Sequence, residues 1–139
     1  MLQYDHDGFI DYDEGGMPVG PAGAPFQVSD SGASHWIYDG TGLNAGDSFG
    51  AASLHERVSG GASAHELDKI GPLSPPNTIL LAKGLNKGGA GAEVAYHERH
   101  AVGGGAVFAA SSLCWVMALP IDRDVSAITA NVLNRFLGT

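Results

Sequence analysis

The stretch from about Val125 to Leu137 is the feature that most limits what this chain can fold into. Val125, Ile128, Val132 and Phe136 recur at steps of three and four residues, with Leu133 widening the stripe. That is the period of a helix with one apolar face. Asp124 stands where an N-cap is expected, Gly138 follows the last apolar residue, and Arg135 falls near the negative end of the helix dipole. A helix of this kind needs its apolar face covered, because packing supplies most of its stability. The simplest cover is a sheet built from the residues before it.

Several short runs fit such a sheet. His35-Trp36-Ile37-Tyr38 is aromatic and β-branched and stops at Asp39-Gly40, which predicts a strand entering a turn. Pro75-Pro76 disfavours helix and leads into Thr78-Ile79-Leu80-Leu81-Ala82, the pattern of a buried strand. Residues 93–99 alternate, with Val94, Tyr96 and Glu98 on one side and Ala95, His97 and Arg99 on the other, so one face of that strand is wet. After Gly103-Gly104-Gly105, the run Ala106-Val107-Phe108-Ala109-Ala110 is apolar on both sides and predicts a central strand. Residues 53–58 fit either one helical turn or an extended loop.

Residues 1–34 keep no period of two or 3.6. They carry Asp5, Asp7, Asp11, Asp13 and Glu14, then Gly and Pro, and predict an irregular arm with one short extended piece at Pro25-Phe26-Gln27-Val28. The domain proper is expected over residues 35–139. Three or four strands with one good helix make a thin α/β domain, and an all-apolar strand needs cover on both faces. The expectation is therefore part of something larger.

Charge narrows the partners. The net charge is −8 with only 7 Lys+Arg and no basic stripe, which argues against nucleic acid. No apolar run approaches the roughly 20 residues needed to span a bilayer, so no membrane partner is expected. The start, Met1-Leu2-Gln3-Tyr4-Asp5, lacks the basic and apolar segments of a signal peptide, and the single Cys114 cannot form an internal disulfide. A cytoplasmic setting is the expectation.

Motif by motif, the chain offers little chemistry of a familiar kind. Asp5, Asp7, Asp11 and Glu14 fall on liganding positions of an EF-hand loop if Gly8 is its turn glycine, but Gln3 stands first where a carboxylate belongs. The better reading is an acidic, solvated arm. Three His-Glu pairs, His55-Glu56, His65-Glu66 and His97-Glu98, lack a second His at the four-residue spacing that makes a zinc helix, so no metal site is expected. Cys114 sits in no nucleophile-elbow frame and reads as core.

Five runs in order carry a resemblance. They are Trp36-Ile37-Tyr38-Asp39-Gly40-Thr41-Gly42-Leu43, Gly60-Gly61-Ala62-Ser63-Ala64-His65-Glu66-Leu67-Asp68-Lys69 and Leu73-Ser74-Pro75-Pro76-Asn77-Thr78. Gly104-Gly105-Ala106-Val107-Phe108-Ala109-Ala110-Ser111-Ser112 and Ile128-Thr129-Ala130-Asn131-Val132-Leu133-Asn134-Arg135-Phe136 complete the set. From about His35 onward the chain resembles the C-terminal region of the large (beta) subunit of the N,N-dimethylformamidase family. The resemblance implies part of a glutamine-amidotransferase-like (flavodoxin-like) α/β sandwich. It also implies hydrolysis of the C–N bond of small formamides and related amides.

The family's iron, held by tyrosines and a carboxylate, is implied to lie upstream of the matched runs, so no metal ligand is carried onto this chain. Glu66, after the glycine-rich turn, is the one catalytic candidate, as a proton shuttle or substrate anchor. A pairing of Glu66 with Lys69, or a loop cap, competes with that role. His65, which with Ala64 replaces the family's usual glycine pair, and Asp68 are candidate pocket residues. The implied partners are an upstream domain or subunit of the same enzyme, a small amide, and further copies in an oligomer, with the isolated chain inactive. The alternative is a non-catalytic binding module whose acidic arm takes calcium or a basic partner.

Overall fold

The computed structural model describes residues 3–4, 11–12, 18–19, 23–55, 60–65 and 67–138. In chain order the strands are β1 (Gln3–Tyr4), β2 (Asp11–Tyr12), β3 (Pro18–Val19), β4 (Phe26–Val28), β5 (Ser48–Phe49), β6 (Asp68–Lys69), β7 (Ile79–Gly84), β8 (Glu93–Glu98) and β9 (Ala106–Ala109). The helices α1 (Cys114–Ala118) and α2 (Arg123–Leu137) follow, and a 3-10 turn covers Trp36–Tyr38. Strands β5-β4-β7-β8-β9 form one sheet in that order, while β1 pairs with β6 and β2 with β3.

All the pairings in the five-stranded sheet are antiparallel. A flavodoxin-like sandwich is built on parallel strands; the described residues form instead an antiparallel α/β layer with a C-terminal helix. The expected short extended piece at residues 25–28 is an interior strand, seated between β5 and β7.

Pairing register sorts the side chains into two faces. Val28 lies opposite Ala82, Ala82 opposite Val94, and Tyr96 between Ile79 and Phe108. These residues share the buried cluster with Ile37 of the 3-10 turn, Trp115 of α1, and Val125, Ile128 and Val132 of α2. Trp115 is the centre of an aromatic group, with ring centroids 5.6 Å from Phe26, 6.0 Å from Phe49 and 5.8 Å from Phe108. The two helices and the 3-10 turn thus cover one face of the sheet. The opposite face carries Gln27, Lys83, Glu93, Ala95, His97, Val107 and Ala109.

Three expectations need correction. Residues 35–38 are not a strand. Their backbone N–H groups find local partners, Tyr38 N–H on His35 O and Asp39 N–H on Trp36 O, and Asn131 of α2 donates to Ile37 O and Asp39 O, both at 2.9 Å. With donors and acceptors satisfied in a turn, nothing is left to drive sheet pairing. The apolar run at residues 106–110 is an edge strand rather than a central one, and Val107 is 59% exposed. Finally, Asp122, not Asp124, caps α2. Asp122 has extended backbone angles, and its carboxylate accepts from Asp124 N–H and Val125 N–H at 3.1 and 2.9 Å. Gly138 closes the helix in the left-handed conformation, as expected.

The helix stripe is also narrower than its period suggests. Val125, Ile128 and Val132 are buried, whereas Leu133 and Phe136 stay about half exposed. Arg135 lies over the ring of Trp36, 5.7 Å from its centroid, and so ties the last turn back to the 3-10 segment.

A bulge interrupts β7 between Leu80 and Ala82. The carbonyl of Leu81 accepts from Ser29 N–H, Ser29 Oγ and the buried Tyr38 hydroxyl, at 2.9, 3.1 and 2.8 Å. Burial also pushes the Tyr38 phenol well above its usual range, so it remains a donor. Gly32 lets this loop close on the bulge, because a Cβ there would lie 2.7 Å from the Leu81 Cα.

Candidate functional site

The glycine-rich turn before the candidate residues is shaped by a close backbone approach. Gly61 has φ +149, and a Cβ there would meet the Ala24 carbonyl carbon at 2.3 Å. That contact brings Ser63 opposite Ala24, with Ala24 N–H on Ser63 O and Ser63 N–H on Ala24 O. The fully buried Ser63 hydroxyl donates to Asn86 Oδ1 at 2.6 Å and accepts from Ala92 N–H, while Asn86 Nδ2 donates back to Ser63 O at 2.9 Å. A buried polar pair satisfied in this way fixes the start of the segment.

From there the segment is fastened to residues 111–114 on both sides of position 66. The Ser112 hydroxyl accepts from Ala64 N–H and donates to Ala64 O. Cys114 N–H and Leu113 N–H reach Ala64 O and His65 O, and Asp68 N–H donates to Ser111 O at 3.0 Å. Two non-glycine residues at this junction hold left-handed backbones, His65 at φ 58 and Ser111 at φ 61. Such conformations cost about 1–3 kcal/mol each and persist where surrounding contacts impose them. Glu66 itself lies outside the described residues.

His65 and Asp68 part company. The His65 ring meets His55, with centroids 5.3 Å apart. Asp68 instead lines a groove of about 320 Å³ over the outer face of β8 and β9. Ala95, Val107 and Ala109 make its apolar floor, and Pro75 and Thr78 its far wall. His97 opens onto the same groove, and its Nδ1 is buried without a hydrogen-bond partner among the described residues. Leaving such an atom unsatisfied costs about 1–3 kcal/mol. The Thr78 hydroxyl donates to Pro75 O at 2.7 Å, which leaves its lone pairs available as acceptors. The arrangement brings an imidazole, a hydroxyl and a carboxylate to the rim of an apolar floor, the general composition of a small-molecule site.

Sequence reasoning named Asp68 as a pocket candidate and passed over His97 as one of three His-Glu pairs. The alternation of residues 93–99 does put Ala95 and His97 on one face. That this face is hollow depends on the loop at residues 75–78, which no local pattern announces.

Cys114 is buried, and burial pushes its thiol up, opposed in part by a hydrogen bond from Ser53. A thiol held protonated is a poor nucleophile, in keeping with a core role. Among the described residues, no group of three or more His, Cys, Asp and Glu could hold a metal ion. Of the EF-hand positions, Asp11 belongs to β2, paired with Val19, and Asp5, Asp7 and Glu14 lie outside the described residues.

Comparison with known proteins places this geometry in a family. The profile of the "N,N-dimethylformamidase beta subunit-like, C-terminal" family matches residues 11–129. The chain belongs to that family. A curated relative, the N,N-dimethylformamidase beta subunit of Alcaligenes sp., is 32% identical over 130 residues, covering 73% of this chain. The match spans 16% of that relative's length. Within the N,N-dimethylformamidase beta subunit-like region fall the glycine-rich turn, the junction at residues 111–114 and every residue lining the groove. The family region ends at residue 129, inside α2, so the last two turns of the helix lie beyond it. No helix among the described residues is long and apolar enough to cross a membrane.

Proposed function

We propose that this chain is the C-terminal portion of an amide hydrolase that cleaves the C–N bond of small formamides or related amides once an upstream domain or subunit completes it. The observation that carries this reading is the family match over residues 11–129, joined by the 32% identity to a dimethylformamidase beta subunit. In this reading the iron is bound by the upstream region, where the resemblance implies that its ligands lie.

Glu66 keeps its place as the candidate proton shuttle or substrate anchor. What supports it is the fastening of the described residues on either side, Ala64, His65 and Asp68, onto residues 111–114. Glu66→Gln, made in the completed protein, is expected to lower kcat by 10²-fold or more, the usual scale for losing a general acid or base. If kcat is unchanged, Glu66 has no such role. The reading as a whole is tested by amine release from N,N-dimethylformamide, by the chain alone and by the chain combined with the upstream region and iron. Release is expected only from the combination.

A further inference from the structure

We propose that the free edge of β9 pairs with β9 of a second copy of this chain, antiparallel and about a two-fold axis at Phe108, so that two sheets become one. The inference rests on the sheet edge and is independent of the amide-hydrolase reading.

The first observation is the direction of the β9 backbone groups. Arg99 N–H donates to Gly105 O at 3.0 Å, one step beyond the pair Glu98 and Ala106. Residues 99 and 105 are therefore a hydrogen-bonded pair, and by alternation so are His97 with Val107 and Ala95 with Ala109. The N–H and C=O groups of Ala106 and Phe108 then point away from β8. The sheet ends at β9, and these groups have no hydrogen-bond partner among the described residues.

The second observation is what the edge lacks. Natural edge strands are blunted by Lys, Pro, an inward-pointing charge or a bulge. The sequence of β9 is Ala-Val-Phe-Ala, and its register on β8 is unbroken. Nothing in it opposes a further strand.

The choice of a second copy comes from what a two-fold axis brings together. With the axis at Phe108, that residue faces its own counterpart, Ala106 faces Ala110 of the second copy, and Val107 faces Ala109 of the second copy. The exposed Val107 thereby gains an apolar neighbour, and residues 103–113 carry no charge that could meet its like. Charge is complementary just beyond the pairing. Exposed Arg99 continues the outer-face alternation of Ala95 and His97 at the Gly105 end of β9. Asp68 lines the groove on that same face at the other end, where its N–H bonds Ser111 O. The two-fold brings the Arg99 end of each copy beside the Asp68 end of the other. Glu98 is kept out of this contact, since it lies on the opposite face with the Tyr96 hydroxyl donating to it at 2.9 Å. Two exposed apolar residues approach in the same way, Val102 at the hairpin tip and Leu113 past the strand's end. A strand pairing of this size makes a small interface, and each copy carries a net charge of −8, so the dimer is weak and concentration-dependent.

Sedimentation velocity on the full chain, in about 0.15 M salt and over roughly 1–300 µM, should show monomer passing to dimer. Amide hydrogen exchange read by magnetic resonance should show Ala106 and Phe108 gaining protection of about tenfold or more across that range. Val107 and Ala109, already bonded to β8, should change little. Ala106→Pro removes an N–H that β8 does not use, and Val107→Lys places a charge on an exposed position. Both variants should keep the parent's circular dichroism and stay monomeric at the highest concentration. A parent that stays monomeric throughout overturns the proposal and leaves the edge to a strand from another chain. Growth beyond a dimer overturns the two-fold, because one pairing uses up the edge. A dimer that survives in both folded variants, or that forms while Ala106 and Phe108 remain unprotected, places the contact elsewhere and overturns it too. Amine release by the completed protein bears on none of these outcomes.

Discussion

The carboxylate of Asp122 accepts from Asp124 N–H and Val125 N–H through one oxygen, and from Gly50 N–H, 72 residues earlier, through the other at 3.0 Å. One side chain therefore caps α2 and ties it to the end of β5. Asp122→Ala removes the cap and leaves the buried Gly50 N–H without its acceptor, which together should cost about 2–3 kcal/mol in chemical denaturation. Asp122→Asn, which keeps one acceptor oxygen, should cost less; equal stability of Asp122→Ala and the parent would refute this account. His35 gives a prediction in pH. Burial lowers its pKa from the usual 6.5, outweighing the opposing pull of Glu98 and Asp39. The folded form thus holds a proton less readily than the unfolded chain, so stability rises with pH through this group. That contribution is complete above about pH 6.5 and is lost as the pH falls through the folded-state value. The parent should lose more stability between about pH 7.5 and pH 5.5 than His35→Asn, whose side chain can still accept from Ile37 N–H. At this scale the site was only half legible. Asp68 could be named from a motif, whereas His97 became a candidate only when a loop distant in sequence closed a groove over it.

Among the elements, α2 was the most legible, because Val125, Ile128 and Val132 sit at helical spacing and all three are buried. Its partner was not. Residues 35–38 have the composition of a strand, and composition could not foresee that Asn131, on the helix itself, would take the carbonyls of Ile37 and Asp39 and hold a 3-10 turn against it. The run at residues 106–110 misled for a related reason. Period-two reasoning reports which residues are apolar, and an edge strand over a groove can be as apolar as a central one. Trp115 joins the short helix α1 to the sheet through three aromatic neighbours and donates from Nε1 to Thr129 of α2 at 3.1 Å. Trp115→Ala should destabilise by about 3–5 kcal/mol, and thermal or chemical unfolding checks it. Gly61→Ala should cost roughly 1–3 kcal/mol, since its Cβ would meet backbone that cannot move without breaking the Ala24–Ser63 bridge. A Gly61→Ala variant as stable as the parent would mean that the 60–63 segment does not lie against Ala24 as described.

On the scale of the whole molecule, five short runs in order indicated the family before any contact was known, and the match over residues 11–129 bears that out. Among the described residues the five-stranded sheet, to which only the run at residues 104–112 contributes a strand, is antiparallel, with helices on one face and a groove on the other. Strand direction depends on which segments meet, and that is set by contacts such as Ala24 with Ser63 rather than by any run of residues. The central claim is that this domain completes an amide hydrolase. Its most direct test is amine release from N,N-dimethylformamide by the Alcaligenes beta subunit with its matching C-terminal stretch replaced by this chain, loaded with iron. Release by the folded hybrid, with none from either part alone, is the expected result. A folded, iron-loaded hybrid that releases no amine would contradict the claim.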